Sequence, residues 1–465
     1  MIAALFSVGS CSDDFLSPDP ISAVSGEEYY SNDQEIETAV IALYDGLQGI
    51  NDTSSDSNHS TQIEYQLTEM RSDNTRSKSQ EGESAQFESF SVEATNGIVY
   101  DYYRSLYNVI FRANIVLENL ENASAEAAVG FEGEAKFVRA YSYFQLVRLY
   151  GPIPLVDRVI GISDKEIQFT RRDVADIYEL IIGDLTTAVS NLDDSGQRFR
   201  ASKAAAEALL AKVYLTTGDY SNAQTLCESV MSRGFVLMEN FKDVFYVERN
   251  PEIIFAIEYR ADDTNDSQNF SAEWLNAVGR SSGLNYVTPE ARAALDEFGG
   301  NRTLYSYRQD QAQPTEYQVV KYLPNGDEAL GIDPTSSNPT LAGNDWIVLR
   351  YSDVLLMHVE SILAGGESTS SSNAIASFQK VRERAGITDP VSSISKDELI
   401  LERRVELAFE NQRWFDLLRF GVAVEYLTEF AADNGYTFTA TDLLLPMPQA
   451  EINLSNGLLQ QNPRY

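Results

Sequence analysis

The chain is poor in the residue types that most often carry enzyme chemistry. Its 465 residues include two histidines, two cysteines and three tryptophans. His59 and His358 are too few for a histidine-based metal site, and there is no H-E-x-x-H, G-x-S-x-G, P-loop or G-x-G-x-x-G pattern. His358 lies on an apolar helical stripe and reads as a packed histidine. Basic residues are scarce: 35 Lys and Arg stand against 70 Asp and Glu, a net charge of −35. That balance argues against nucleic acid, which needs clustered cations, and more weakly against other polyanions. No stretch beyond the N-terminus approaches 18 uncharged apolar residues, so no later segment spans a membrane as a helix. Cys11 and Cys227 allow one disulfide by arithmetic. Cys227, however, sits in a helical pattern as a small hydrophobe, and Cys11 has another use.

What is abundant is aromatic area and helical periodicity. Hydrophobic residues make up 43% and aromatics 11%, with 25 Tyr and 22 Phe, enough for a large core. Apolar stripes at 3.6-residue spacing predict helices over 33–50, 96–119, 132–150, 173–192, 202–217, 221–232, 351–364 and 373–385. The 201–234 segment is a 34-residue helix–turn–helix with Gly218, Tyr220 and Ala223 near tetratricopeptide positions, and 351–385 is a second pair. The expected fold is therefore mainly α: tetratricopeptide-like helix pairs stacked as an α-superhelix, each burying its apolar face on the next. An irregular, loop-rich half carries a few short strands, at 252–259, 316–322 and 438–445. Residues 51–93 are polar and expected to be mostly loop.

At the N-terminus, residues 1–10 are a short apolar run ending in Val8-Gly9-Ser10 before Cys11. This resembles a lipobox whose signal is truncated, since the basic leading region is missing. Residues 11–25, with two prolines, form a tether. The globule follows as 26–235 and 236–465, read as one integrated body. Asp262, Asp266 and Glu273 echo the 1, 5 and 12 spacing of a calcium loop, but Ser267 replaces its glycine and the acidic loop reads as solvated. No cofactor is expected, with structural calcium the one alternative.

The most patterned stretch is 401–421, LERRVELAFENQRWFDLLRFG. Ser395 and Glu398 have capping-box spacing, and Gly421 suits a left-handed stop, so one helix is expected between them. Arg403–Glu406, Glu410–Arg413, Arg413–Asp416 and Asp416–Arg419 form an i,i+3 charge ladder around Trp414 and Phe415. It reads as a buried structural keystone; the sharper alternative makes Glu406, Glu410 and Asp416 catalytic acids.

This stretch resembles the C-terminal signature of the SusD/RagB family, E-R-R-x-E-L-x-F-E-x-x-R-W-x-D-L-x-R. Three more blocks agree, in family order: FVRAYSYFQLVRLYGPIPLV at 137–156, LRYSDVLLMHVES at 349–361 and LPMPQAEINLSNGLLQQNPRY at 445–465. Departures are Ser352, His358 and Arg464. The resemblance implies a non-catalytic, lipid-anchored protein of the outer-membrane surface, with Cys11 as the lipidated residue. It implies capture of oligo- or polysaccharide, neutral in character, and delivery to a SusC-like TonB-dependent transporter. The alternatives are peptide capture of the RagB type and a surface glycoside hydrolase.

Binding residues concentrate on loops held by a rigid scaffold, which nominates 68–100 and 260–286. In the first, Asp73, Asn74 and Arg76 form a polar cluster, and Phe87 either stacks on a sugar or pins the loop to the core. In the second, Trp274 is the candidate stacking platform or else a loop anchor, with Phe270 and Tyr286 as companions. Trp346 leads into a core block and reads as structural.

Overall fold

A computed structural model of the chain describes residues 29–49, 60–78, 81–195, 198–271, 285–310 and 313–465. Trp274, Glu273, His59 and Cys11 lie outside the described residues.

Helix formation follows local chemistry. Helix α1 (Asp33–Gln48) starts where the Asn32 side chain accepts from Gln34 N and Glu35 N. Asn96 caps α3 (Gly97–Glu118) in the same way, and Ser124 caps α4 (Ala125–Tyr150), each satisfying amides that a helix start leaves open. Helix α4 stops at Gly151, whose φ of 74° is open to glycine. Helices α5 (Val174–Asn191), α6 (Lys203–Thr217) and α7 (Tyr220–Met231) follow, the last two joined through left-handed Gly218. Beyond α8 (Pro289–Phe298) come α9 (Tyr351–Leu363) and α10 (Ser372–Arg384).

The helices stack in an unbroken series. Helix α1 packs on α3, α3 on α4, α4 on α5, α5 on α6, α6 on α7, α7 on α9 and α9 on α10. Helix α4 from Phe137 to Val147 and nearly all of α9 are buried on every side, because they have neighbours on both flanks. The fold is the mainly α, stacked-pair architecture expected from the periodicity.

Three of the sequence expectations need correction. The 51–93 stretch contains α2 (Ser60–Thr68), a helix whose buried face includes Glu64, Gln66 and Thr68. Its polarity hides it from hydrophobic patterning; Glu64 is held by the Tyr102 hydroxyl at 3.0 Å. The 438–445 strand is absent, and a 3₁₀ turn spans Ala440–Leu443, started by a Thr439–Asp442 capping box. The long helix up to Gly421 is broken. Helix α11 (Lys396–Glu406) begins with the expected Ser395–Glu398 capping box and ends early; α12 (Arg413–Arg419) resumes after left-handed Phe409 and Asn411, with α13 (Ala423–Asp433) beyond.

The break has a cause in charge. Arg350 donates to the Glu406 carbonyl at 2.8 Å and Lys321 to the Ala408 carbonyl at 2.8 Å, so buried cations take the oxygens a continued helix would bond. The charge ladder dissolves accordingly, and among its four pairs Asp416–Arg419 is the one formed. Glu406 instead meets Arg302 and Arg350 at 2.9 and 2.6 Å and also Arg384. Arg403 meets Asp353 and Asp416, both at 2.8 Å. Burial alone would raise the Glu406 carboxyl, but Arg384, Arg350 and Arg302 hold it well below the usual range.

The strands are short antiparallel ladders. β2 (Ile253–Ile257) pairs with β6 (Trp346–Arg350) in the core, β1 (Thr75–Ser77) with β3 (Asn285–Val287), and β4 (Tyr307–Gln309) with β5 (Tyr317–Val319). β3 packs beside β5, so β1, β3, β5 and β4 form one small layer at the edge of the irregular half.

Candidate functional site

The β1–β3 ladder joins the two stretches that the sequence nominates. Arg76 lies opposite Tyr286 and Ser77 opposite Asn285. Thr288 fixes the register by donating from Oγ1 to the Asp73 carbonyl at 2.7 Å, while its amide meets the Asn74 carbonyl at 3.0 Å. The same Thr288 oxygen caps α8.

Most of the nominated side chains nevertheless face inward. Asp73 is buried between Arg413, at 2.8 Å, and Arg404, at 3.0 Å. Asn74 donates to Glu69 and accepts from Arg404 Nε at 3.1 Å. Phe87 is wholly buried. Phe270 is packed between Tyr65 and Trp346, with ring centroids 5.4 and 5.8 Å away. Tyr286 is 2% exposed, and its hydroxyl donates to Gln313 at 3.0 Å. Asp73, Asn74, Phe270 and Tyr286 are corrected from outward contacts to interior ones, while Phe87 takes the second of its two expected roles, pinning the loop to the core. The polar cluster at 73–74 is satisfied by arginines of the C-terminal half, as a buried polar group requires. Trp346 is core, as expected.

Among the described residues, Arg76 is the nominated one that reaches the surface. It is half-buried, its guanidinium 5.6 Å above the Tyr286 ring and 2.6 Å from the Glu316 carboxylate. Around it the layer offers side chains that the sequence analysis did not single out. Tyr307 and Tyr317 are half-buried on facing strands, ring centroids 5.8 Å apart at 66°, and Arg292 of α8 stacks 3.8 Å from the Tyr317 centroid. For Tyr317 the signal was present in E-Y-Q-V-V-K-Y, where alternation gave a strand but not its outward face. The result is a rigid patch of rings edged by guanidinium, carboxylate and amide groups. It can stack an apolar ring face and bond hydroxyls beside it.

The other chemical candidates have structural roles, in the interior or, for Asp262 and Asp266, in a surface loop. Glu406, Glu410 and Asp416 are buried and ion-paired. His358 is buried against Ser377 Oγ at 2.8 Å, and burial lowers its pKa. The Asp262 carboxylate accepts from Ser337 N and Asn338 N at 3.0 and 2.8 Å, while Asp266 faces Arg260 at 3.5 Å. Among the described residues no group of three or more His, Cys, Asp or Glu is placed to hold a metal.

Two family models match the chain: the SusD family over residues 276–465, and starch-binding associating with outer membrane over residues 26–215. SusD-like protein P2 of Formosa agariphila is 26% identical over all of this chain and 98% of its own length. The starch-binding protein SusD of Bacteroides thetaiotaomicron is 23% identical over 78% of each chain. Among solved structures, surface glycan-binding protein A from Bacteroides thetaiotaomicron in complex with laminarihexaose superposes with a TM-score of 0.77 at 21% identity, over 93% of this chain and 99% of that one. With two family models covering both halves and relatives aligned over the full length, the chain belongs to the SusD/RagB family.

Proposed function

We propose that this chain is a non-catalytic surface protein that captures neutral oligo- or polysaccharide and hands it to a SusC-like TonB-dependent transporter. Relatives named for starch and laminarihexaose support the ligand class. The observation that carries the reading in this molecule is the β1–β3–β5–β4 layer. Tyr317 and Tyr307 supply ring faces for sugar C–H surfaces, and Arg76, Glu316 and Arg292 supply planar polar groups for hydroxyls. Trp274, which precedes β3 in the chain, is proposed as a further stacking side chain. A surface position beside the pore raises the effective concentration of a large nutrient there. Cys11 is the proposed lipidation site for that tether, and Cys11→Ser should move the protein from the membrane fraction to the soluble one; retention in the membrane would remove Cys11 from this role.

Affinity gels containing starch, laminarin or xyloglucan test the ligand. We expect retardation in at least one, and Tyr317→Ala and Trp274→Ala should each weaken it about tenfold, roughly 1–2 kcal/mol, with unchanged melting. Retention of a peptide library instead, or the appearance of shortened sugars on incubation, would overturn the reading.

A further inference from the structure

The two outward rings of the ladder face are not held by the ladder alone. The register sets Tyr307 opposite Val319 and Tyr317 opposite Gln309, so the rings meet across a diagonal. A diagonal pair is farther apart than a direct one, and the strands alone leave its ring angles loose. Helix α8 supplies the missing restraint. Arg292 and Asp296 stand one turn apart on α8, at an i,i+4 spacing that lets an arginine and an aspartate pair. Among the described residues they form no ion pair with each other; each is turned to a ring instead. Arg292 stacks on Tyr317, 3.8 Å from its centroid, and Asp296 Oδ1 accepts from the Tyr307 hydroxyl. Burial, and then the Asp296 carboxylate, push the Tyr307 phenol above its usual pKa, so the hydroxyl stays a donor.

The helix is a firm mount for this grip. Thr288 caps it and bonds the Asp73 carbonyl, Ala291, Ala294 and Leu295 are buried beneath it, and it packs on α11. Tyr307 and Asp296 themselves lie at the surface, half-buried and exposed. A surface tyrosine free to change rotamer must be ordered when a ligand stacks on it, and that ordering costs affinity. A hydrogen bond made beforehand removes the cost. We propose that Asp296 is a positioning residue for glycan binding: it fixes the Tyr307 ring against Tyr317 before the sugar arrives, and acts on affinity through that ring. The inference rests on the ladder-face reading and adds to it the group that sets the ring geometry.

Affinity electrophoresis of the full chain in starch, laminarin and xyloglucan gels tests it through a double-mutant cycle. In a gel that retards the parent, Asp296→Ala should weaken binding about fivefold, the scale of holding one side chain in place. Tyr307→Phe keeps the ring, loses the bond and should do the same. The variant carrying both changes should bind no more weakly than either single one. Asp296→Asn, whose amide oxygen still accepts, should bind like the parent. Melting should be unchanged throughout, because Asp296 is exposed. Additive losses in the double variant would mean that Asp296 meets the sugar directly, and would overturn the inference. So would parent-like binding by Asp296→Ala, no rescue by Asp296→Asn, or a loss that follows a lowered melting temperature. Failure of the ladder-face reading shows differently, as retardation of the parent that Tyr317→Ala does not alter, or as no retardation in any gel, and the inference then falls with it.

Discussion

Glu69 is wholly buried, with a carboxylate oxygen accepting from Asn74 Nδ2 at 3.0 Å. Burial raises its carboxyl from 4.5 to about 7, against the opposing pull of Asn74 and Lys321. Because the folded state holds this proton more tightly than the unfolded chain, the group's contribution to stability is full below about pH 4.5. It is lost as pH rises through 7, a difference of roughly 3 kcal/mol at alkaline pH. Glu69→Gln keeps an acceptor for Asn74 and removes the charge. We expect denaturant midpoints for the variant to exceed the parent at pH 8 and to match it near pH 4.5; an equal gap at both pH values would refute the assignment. At this scale the sequence showed which residues are polar but not what they meet. Asp73, Asn74 and Arg76 stand together in the chain, yet Asp73 and Asn74 turn to arginines more than 300 positions away, and Arg76 alone of the three reaches the surface.

Most helices in which an apolar stripe met a cap were legible, although α8, capped by Thr288 and carrying buried Ala291, Ala294 and Leu295, was passed over. Ser395–Glu398, Gly151 and Gly218 mark ends that the structure keeps. What failed was any element whose form depends on distant charge. The 401–421 stretch has uninterrupted helical spacing, but Arg350 and Lys321 draw off the carbonyls of Glu406 and Ala408, and the chain turns through left-handed Phe409 and Asn411. Breaking there lets Trp414 enter the core beneath Arg71, whose guanidinium lies 4.0 Å from the ring centroid. The keystone role read from the sequence therefore stands, though on two helices instead of one. Helix α2 failed for the opposite reason: its buried positions are polar, so no hydrophobic period announces it. The outward ring pair at Tyr307 and Tyr317 was equally hidden, since alternation cannot say which face of a short ladder a neighbouring strand will cover.

At the scale of the molecule, the two matched regions share one core. Among the described residues one large cluster of buried apolar side chains includes both Ile36 and Leu459, with Val320, Leu323 and Ile332 set apart in a small second one, and the C-terminal tail closes over α4 through Leu445 N to the Leu149 carbonyl and Asn462 Nδ2 to the Tyr150 carbonyl. Arg71 reaches the Asp442 carbonyl at 2.6 Å. Asp73 is the most consequential of these crossings, because one carboxylate is shared by two cations, Arg413 and Arg404, in the interior. Burial would raise it, but the two arginines hold it far below the usual carboxylate range. Its stabilisation is thus present above the ordinary aspartate pKa near 4 and is lost as pH falls through the depressed one. Asp73→Asn leaves two buried cations short of a counter-charge, a loss of about 3–5 kcal/mol at neutral pH. Since the crossing belongs to a shared core, the loss should lower the stability of both halves together. We expect a single unfolding transition, displaced to lower denaturant, in which tryptophan fluorescence and far-ultraviolet circular dichroism coincide. Two separated transitions, with the 26–215 region melting ahead of 276–465, would show instead that each half stands on its own and that Asp73 stabilises only its immediate surroundings.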